Sequence, residues 1–362
     1  MMKTYKIGVI PGDGVGKEVI PEGKKVLDAL GKRFGLRFEF TDFPWGTEYY
    51  LSTGRMMPEN GLDLLKPFDA IYFGAVGDPK VPDHVTLHGL ILPIRRGFDQ
   101  YACERPSYLY PGVTSPLAGK KPGEIDLIVI RENTEGEYAP IGGHVYLGMP
   151  EEVAVQTAVF TRRGCERVIR YAFELARKRN KKRRVTSITK SNAQQFGMVL
   201  WDRTFKEVAR SYPDISTDSL LIDAACMDFI RRPEHFDVVV ASNLFGDILT
   251  DIGAIITGSM GLAPSANLNP ERRFPSMFEP VHGSAPDIYG KGIVNPLAAV
   301  LSAGMLLDFL GEGEAAKMVE TAVRKILAEG KVRTPDLGGK STTREVGDAL
   351  VEIIRQAEYR AP

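Results

Sequence analysis

The chain has 362 residues, and its 46 lysines and arginines balance 46 aspartates and glutamates, giving a formal net charge of zero. A chain of this length can bury most of its unfolded surface and exceeds the usual size of one domain, so two domains are expected. Hydrophobic content of 43% and charged content of 25% exclude a disordered chain, and neutrality speaks against a general polyanion binder.

Taken in chain order, short apolar runs alternate with helical patterns. Residues 6–10 (KIGVI) read as a buried strand, PGDGVG as a turn and 17–33 as a helix. Residues 69–75 read as a second strand, and 85–105 follow a helical pattern despite Pro93. The runs at 125–131, 185–189, 219–223 and 236–241 read as further strands, and the tail is helical over 297–329 and 343–358. Runs that are apolar on both faces and alternate with helices indicate an α/β protein with a largely parallel sheet. No linker separates two halves, which fits a chain that leaves one domain and later returns to it. Cys103, Cys165 and Cys226 are odd in number and include no CxxC pair, so neither a disulfide framework nor a cysteine zinc site is expected. The N-terminus enters a strand with no signal-peptide core, and no apolar run approaches the ~20 residues of a membrane span. A cytoplasmic chain with no membrane partner is expected.

Two motifs are decoys. Gly12-Asp13-Gly14-Val15-Gly16 lies between a strand and a helix, but the dinucleotide fingerprint needs glycine where Lys17 stands, so a plain tight turn is expected. The basic run Lys178 to Arg184 suggests nucleic acid, but it lacks interleaved aromatics and sits at a helix end, where basic residues suit the dipole. A solvated helix end, and no nucleic-acid partner, is expected.

The chemistry concentrates in SNLFGDILTDIG (242–253). Asp247 and Asp251 share one helix face among apolar neighbours, and a buried carboxylate pair calls for a cation or a shared proton. A hard divalent ion such as Mg²⁺ or Mn²⁺ suits such oxygens. The bland alternative is one aspartate capping the helix and the other in solvent. Asp223, at the end of a strand candidate, is a third ligand candidate beside that pair. Arg95 and Arg105 flank a helix end, and Arg131 closes the strand IDLIVIR. Guanidinium groups bind carboxylates in bidentate fashion, so these arginines with a metal suit a small polyanionic acid, although each alone reads as a surface ion pair. Lys190, after the strand VTSIT, can serve as a base near a metal. Lys190 and Tyr138 are each unremarkable in isolation.

Together RENTEGEY (131–138), SNLFGDILTDIG (242–253) and EPVHGSAPDIYGKGIVNP (279–296) resemble the β-decarboxylating 2-hydroxyacid dehydrogenases, the isocitrate and isopropylmalate dehydrogenase family, over essentially the whole chain. The resemblance implies an α/β, isopropylmalate-dehydrogenase-like two-domain fold with mixed, largely parallel sheets flanked by helices, not a Rossmann fold. It implies a large discontinuous domain over 1–100 and 258–362 that binds the cofactor, and a small domain over 101–257 with the substrate, metal and dimer contacts. Asp223, Asp247 and Asp251 would hold Mn²⁺ or Mg²⁺, Arg95, Arg105 and Arg131 would grip carboxylates, Lys190 would be the base and Tyr138 the proton donor. Lys190 and Asp223 would reach in from the second subunit of a homodimer. NAD would lie on His282, Gly283, Ser284, Ala285, Asp287, Ile288 and Asn295, with Asn192 near the nicotinamide. Asp287 favours NAD, since a carboxylate accepts from a ribose hydroxyl and repels a 2′-phosphate. The cofactor set is NAD with Mn²⁺ or Mg²⁺, with room left for K⁺.

Within the family, specificity is set by the helix before Arg95. Gly89 and Ile91 replace the polar residues that isocitrate enzymes carry there, which disfavours isocitrate. Residues 48–59, 81–89 and 263–280 resemble the tartrate and D-malate branch. His88 could bond a substrate hydroxyl, whereas Leu90, Ile91 and Leu92 could line an isopropyl pocket, so 3-isopropylmalate is the alternative. A catalytically silent regulatory subunit is a remote one, because such subunits lose metal or base residues that this chain retains.

Overall fold

The computed structural model describes residues 2–357. Its strands are β1 (Lys3–Gly12), β2 (Leu36–Asp42), β3 (Ala70–Ala75), β4 (Ala102–Tyr108), β5 (Asp126–Glu132), β6 (Gly142–Val145), β7 (Val153–Gln156), β8 (Arg184–Thr189), β9 (Ser216–Leu221), β10 (Val238–Ala241), β11 (Pro264–Leu268) and β12 (Ser276–Pro280). The chain forms two compact units, one comprising residues up to Gln100, Arg105–Ile125 and those from Gly253 onward, the other Tyr101–Glu104 and Asp126–Ile252. Residues of β4 belong to both.

In the first unit the strand order is β2-β1-β3-β12-β11-β4. Strands β2, β1, β3 and β12 run parallel, and β11 lies antiparallel to β12. Strand β3 is apolar and buried at every position, as a strand covered on both faces must be. Ile7, Val9, Ile71, Tyr72 and Phe278 are buried, and helix Leu297–Leu310 packs over β11 and β12. In the second unit the order is β4-β5-β10-β8-β9, with β5, β10, β8 and β9 all parallel. Helix Arg162–Arg179 covers β5 and β10, and a separate two-stranded antiparallel hairpin, β6–β7, stands exposed along its whole length. The architecture is the expected α/β one: mixed, mostly parallel sheet with flanking helices.

Several local expectations change. The helix assigned to 85–105 stops at Gly97, and residues 102–108 are strand β4 instead. Pro93 lies at the start of the helix Leu92–Gly97, directly after a π-helical turn, Leu87–Ile91. The wider turn accommodates the amide that proline lacks. Asp99, with φ of +46°, reverses the chain before the strand. The tail splits into helices Leu297–Leu310 and Gly313–Glu329, and the last helix runs Thr343–Gln356; residue 358 lies outside the described residues. The basic run lies largely exposed at the helix end, as expected, and several of its side chains also make local pairs. Arg179 pairs with Asp126 at 2.9 Å and with Asp237 at 3.0 Å, Lys181 pairs with Asp126, and Lys182 donates to the carbonyl of Phe236 at 2.9 Å. These side chains pin the starts of β5 and β10. All three cysteines are free thiols, and among the described residues no helix is long and apolar enough to cross a membrane.

Candidate active site

Parallel strands align their carboxyl ends, and in the second unit this gathers chemistry on one edge. Strands β8 and β9 pair Thr189 with Leu221. The next residues bring Lys190 Nζ within 2.5 Å of Asp223 Oδ1. Asp223 does not end a strand as expected; it is the second residue of the helix Ile222–Arg231. Its hydrogen bond to Lys190 holds its carboxyl below the usual carboxylate range.

Along the same edge β5 and β10 pair Arg131 with Ala241, and helix Asn243–Ile256 begins just beyond. Arg131 is only 1% exposed and lies against this helix. Its Nε and Nη2 donate to Asn243 Oδ1 at 3.0 and 2.7 Å, and its Nη1 to Asp247. The Tyr138 hydroxyl donates to the other Asp247 oxygen at 2.8 Å, and the Tyr138 ring lies 5.2 Å from the guanidinium carbon. Gly246 makes this approach feasible, since a Cβ there would fall 2.6 Å from Arg131 Cβ. The expected buried carboxylate pair is less buried than its apolar neighbours suggest. Phe245 and Leu249 are in the core, but Asp247 is half-buried and Asp251 exposed.

The loop between β5 and Tyr138 is built from carboxylates. Glu132 is fully buried and accepts from the backbone and hydroxyl of Thr134 at 2.9 and 2.8 Å and from Glu135 N at 2.9 Å. Burial outweighs these donors and pushes its pKa up to about 7. Glu135 accepts from the Thr161 amide and hydroxyl, both at 2.8 Å. Glu137 accepts from Ser242 Oγ at 2.8 Å and Leu244 N at 3.2 Å, capping the helix that carries Asp247 and Asp251. Glu132, Glu137 and Asn243 were not singled out by sequence reasoning, although Glu132 and Glu137 stand inside the quoted RENTEGEY and Asn243 inside SNLFGDILTDIG.

In the first unit Arg95 is buried and bonds Glu279 Oε1 at 2.6 Å, while Asn267 Nδ2 donates to the same oxygen at 2.8 Å. Arg95 Nε is buried without a hydrogen-bond partner. Arg105 lies buried on β4 rather than beside a helix end. His88 is exposed on the π-helical turn, and burial together with the Arg96 and His84 charges lowers its pKa. Leu90 is wholly buried, and Ile91 and Leu92 nearly so.

The loop His282–Ile288 packs against the glycine turn. Val15 N donates to the Ser284 carbonyl at 2.8 Å, and a Cβ on Gly14 (φ +51°) would sit 2.1 Å from that oxygen. Asp13 is buried and accepts from the Thr47 amide at 2.8 Å, the Thr47 hydroxyl at 2.9 Å and Gly77 N at 2.9 Å. The turn is the tight strand-to-helix connection expected, and it also supports the loop. Ala285 has φ of +40°, while Gly283, Asp287 and much of Ile288 face solvent or lie half-buried. Asn295 is buried and donates to Asp336 at 2.9 Å. His282 Nδ1 lies 2.9 Å from the Gly283 carbonyl, while its Nε2 is buried with no protein partner. Burial lowers the His282 pKa, so the ring is neutral. Asn192 is exposed beyond Lys190 in the second unit.

Residues 6–350 match the family model described as isocitrate/isopropylmalate dehydrogenase. The chain is 54% identical over 361 residues to the D-malate dehydrogenase [decarboxylating] of Escherichia coli K12, covering 98% of this chain and 99% of that protein. It is 50% identical to the tartrate dehydrogenase/decarboxylase of Pseudomonas putida, covering 98% and 99%. The crystal structure of isocitrate dehydrogenase from Methylococcus capsulatus superposes with a TM-score of 0.89 at 35% identity, covering 97% of this chain and all of that one. With matching sequence along nearly its whole length and the same α/β architecture, the chain belongs to the isocitrate/isopropylmalate dehydrogenase family of enzymes.

Proposed function

We propose that the chain oxidises and decarboxylates D-malate, tartrate or both, using NAD and Mn²⁺ or Mg²⁺. The observation that carries this reading is the assembly of Arg131, Tyr138 and Asp247 beside Asp251, on the edge that also presents Lys190 and Asp223. The 50–54% identity to proteins named for these two substrates supports it.

The donor chemistry fits a divalent ion in two halves. Asp247 and Asp251 offer hard oxygens one helical turn apart. Among the described residues no group of three His, Cys, Asp or Glu that could hold a metal gathers within one chain. In our assignment the third ligand, Asp223, comes from a second copy, together with Lys190, as the family resemblance implies. When bound, the ion supplies Lewis acidity at the substrate's C2 oxygen and NAD supplies the hydride acceptor. Lys190 takes the C2 hydroxyl proton, Arg95, Arg105 and Arg131 grip the carboxylates, and Tyr138 returns a proton to carbon after CO₂ departs. The buried, partnerless Nε2 of His282 suits a cofactor hydroxyl donor, and Gly283, Ser284, Ala285, Ile288, Asn295 and Asn192 complete our cofactor assignment. Asp287 would accept from the ribose and repel a 2′-phosphate, hence NAD.

A homodimer suits the surface of the second unit. The β6–β7 hairpin exposes Val145, Tyr146, Leu147, Met149, Val153 and Val155, and the two site helices expose Met227, Ile230 and Ile248. Exposed apolar side chains grouped in this way support an interface. The domain division read from the sequence, 1–100 with 258–362 and 101–257, remains part of this proposal, as does a cytoplasmic location.

The substrate choice rests on the likeness of residues 48–59, 81–89 and 263–280 to the tartrate and D-malate branch and on the identity to proteins named for those substrates; the exposed His88 ring is open to a substrate hydroxyl. The test is a side-by-side kcat/KM for D-malate, L-tartrate, meso-tartrate, 3-isopropylmalate and isocitrate with NAD and NADP. D-malate or tartrate with NAD is expected to lead. A preference of about tenfold or more for 3-isopropylmalate, the discrimination that a single apolar pocket can supply, overturns the assignment.

A further inference from the structure

A guanidinium that must attract a substrate carboxylate faces a conflict. It needs rigid partners to aim it, yet an anionic partner consumes the charge that makes it useful. Arg131 is almost wholly buried, and two of its N–H groups end on one neutral atom, Asn243 Oδ1, at 3.0 and 2.7 Å. Asn243 is itself 2% exposed, and its Nδ2 donates to the Glu135 carbonyl at 3.1 Å. That second bond fixes which end of the amide faces Arg131, because a carbonyl can only accept. An aspartate at 243 would set carboxylate oxygen against carbonyl oxygen. Gly136 (φ +74°) lets the loop pass close to Asn243, with a notional Cβ 3.3 Å from Asn243 Cβ. One anionic partner of Arg131 is Asp247, the carboxylate assigned above to the metal. Shared with a dication, that carboxylate would neutralise Arg131 less, whereas the amide holds the guanidinium without offering it a charge.

We propose that Asn243 is a positioning residue for Arg131: it aims the guanidinium while leaving its positive charge available to an acidic substrate. The proposal rests on the reading above in taking a dicarboxylate as that substrate, Arg131 as its partner and Asp247 as a metal ligand.

The full-length protein and its Asn243→Ala and Asn243→Asp variants test this. The Arg131 Nε–H signal, identified in ¹⁵N spectra by its loss in Arg131→Lys, is expected to exchange slowly in the parent protein and rapidly in Asn243→Ala. D-malate titrated calorimetrically with Mn²⁺ present and NAD absent is expected to bind about tenfold or more weakly to either variant, as loss of a charged hydrogen-bond partner or of a net charge predicts. In turnover Asn243→Asp is expected to raise KM more than it lowers kcat, a split that general loosening of the fold would not give. Unchanged Nε–H exchange in Asn243→Ala, or unchanged D-malate affinity in both variants, overturns the proposal. Should Asn243→Ala fail to fold, the near-isosteric Asn243→Asp carries the decision by its D-malate affinity. Failure of the parent protein itself to bind or oxidise D-malate or tartrate would count against the functional reading, while Nε–H exchange would still decide the pairing.

Discussion

Asp247 has two roles in this chain: it accepts a hydrogen bond from the Tyr138 hydroxyl and balances the charge of Arg131. Asp251, one turn on and exposed, makes the better test of the metal assignment. Asp251→Asn is expected to weaken Mn²⁺ binding by about tenfold or more, as loss of a charged ligand should, and to leave the thermal transition in place; unchanged Mn²⁺ affinity by calorimetry removes Asp251 from the ligand set. Glu132 makes a pH argument of its own. Its folded pKa, about 7, stands above the ordinary 4.5, so the fold favours the protonated form. Its stabilising contribution is complete below 4.5 and is lost as pH rises through 7. Thermal stability followed from pH 5 to 8 should therefore contain a fall that Glu132→Gln lacks, and parallel curves for the two proteins would refute the buried-acid account. Sequence reasoning singled out Asp247 and Asp251 because charges beside apolar neighbours are visible in one dimension, whereas Arg131 and Tyr138 drew their roles from the family resemblance. It missed Glu132 and Asn243, whose importance lies in partners 2 to 112 residues distant.

At the scale of elements, the loop after β5 and the helix Asn243–Ile256 form one construction, joined by Arg131, the Glu135 carbonyl, Glu137 and Tyr138. Glu137 replaces the side-chain cap that the helix would otherwise take from its own start. Glu137→Ala is expected to cost about 1 kcal/mol of stability, the usual value of a lost N-cap, and to lower Mn²⁺ affinity with it. A variant as stable as the parent in urea denaturation would show that water caps the helix equally well. Elements were legible where an apolar run was continuous, as in β1, β3, β5, β8 and β10. Strand β4 (ACERPSY) was hidden by its charges and proline, and β11 and β12 by polar residues such as Ser265, Asn267, Ser276 and Glu279, which are buried yet hydrogen-bonded. Strand β2 and the β6–β7 hairpin keep much of their surface in solvent and left only a weak pattern.

For the whole molecule, the proposed sharing of ligands between two copies has a direct test. Lys190 and Asp223 already form a pair within one chain, as do Arg131 and Asp247. Lys190→Met and Asp247→Asn should each be inactive alone. Mixed, unfolded and reassembled, they should recover up to about a quarter of parental activity, because half the dimers then carry one intact site. No recovery despite proven heterodimers would place both groups in one chain's own site. The two compact units interleave along the chain, and nothing in the composition of 105–125 marks that segment as part of the first unit.

The buried carboxylate of Asp13 has a thermodynamic consequence. With Thr47 and Gly77 fixing it, and the Ser284 carbonyl held by Val15, the platform under the proposed nucleotide loop is tied together by the chain's own hydrogen bonds. Its conformational freedom is surrendered when the chain folds rather than when a cofactor arrives. A dinucleotide would then meet a surface prepared in advance, and less of its interaction energy would be consumed in ordering the protein.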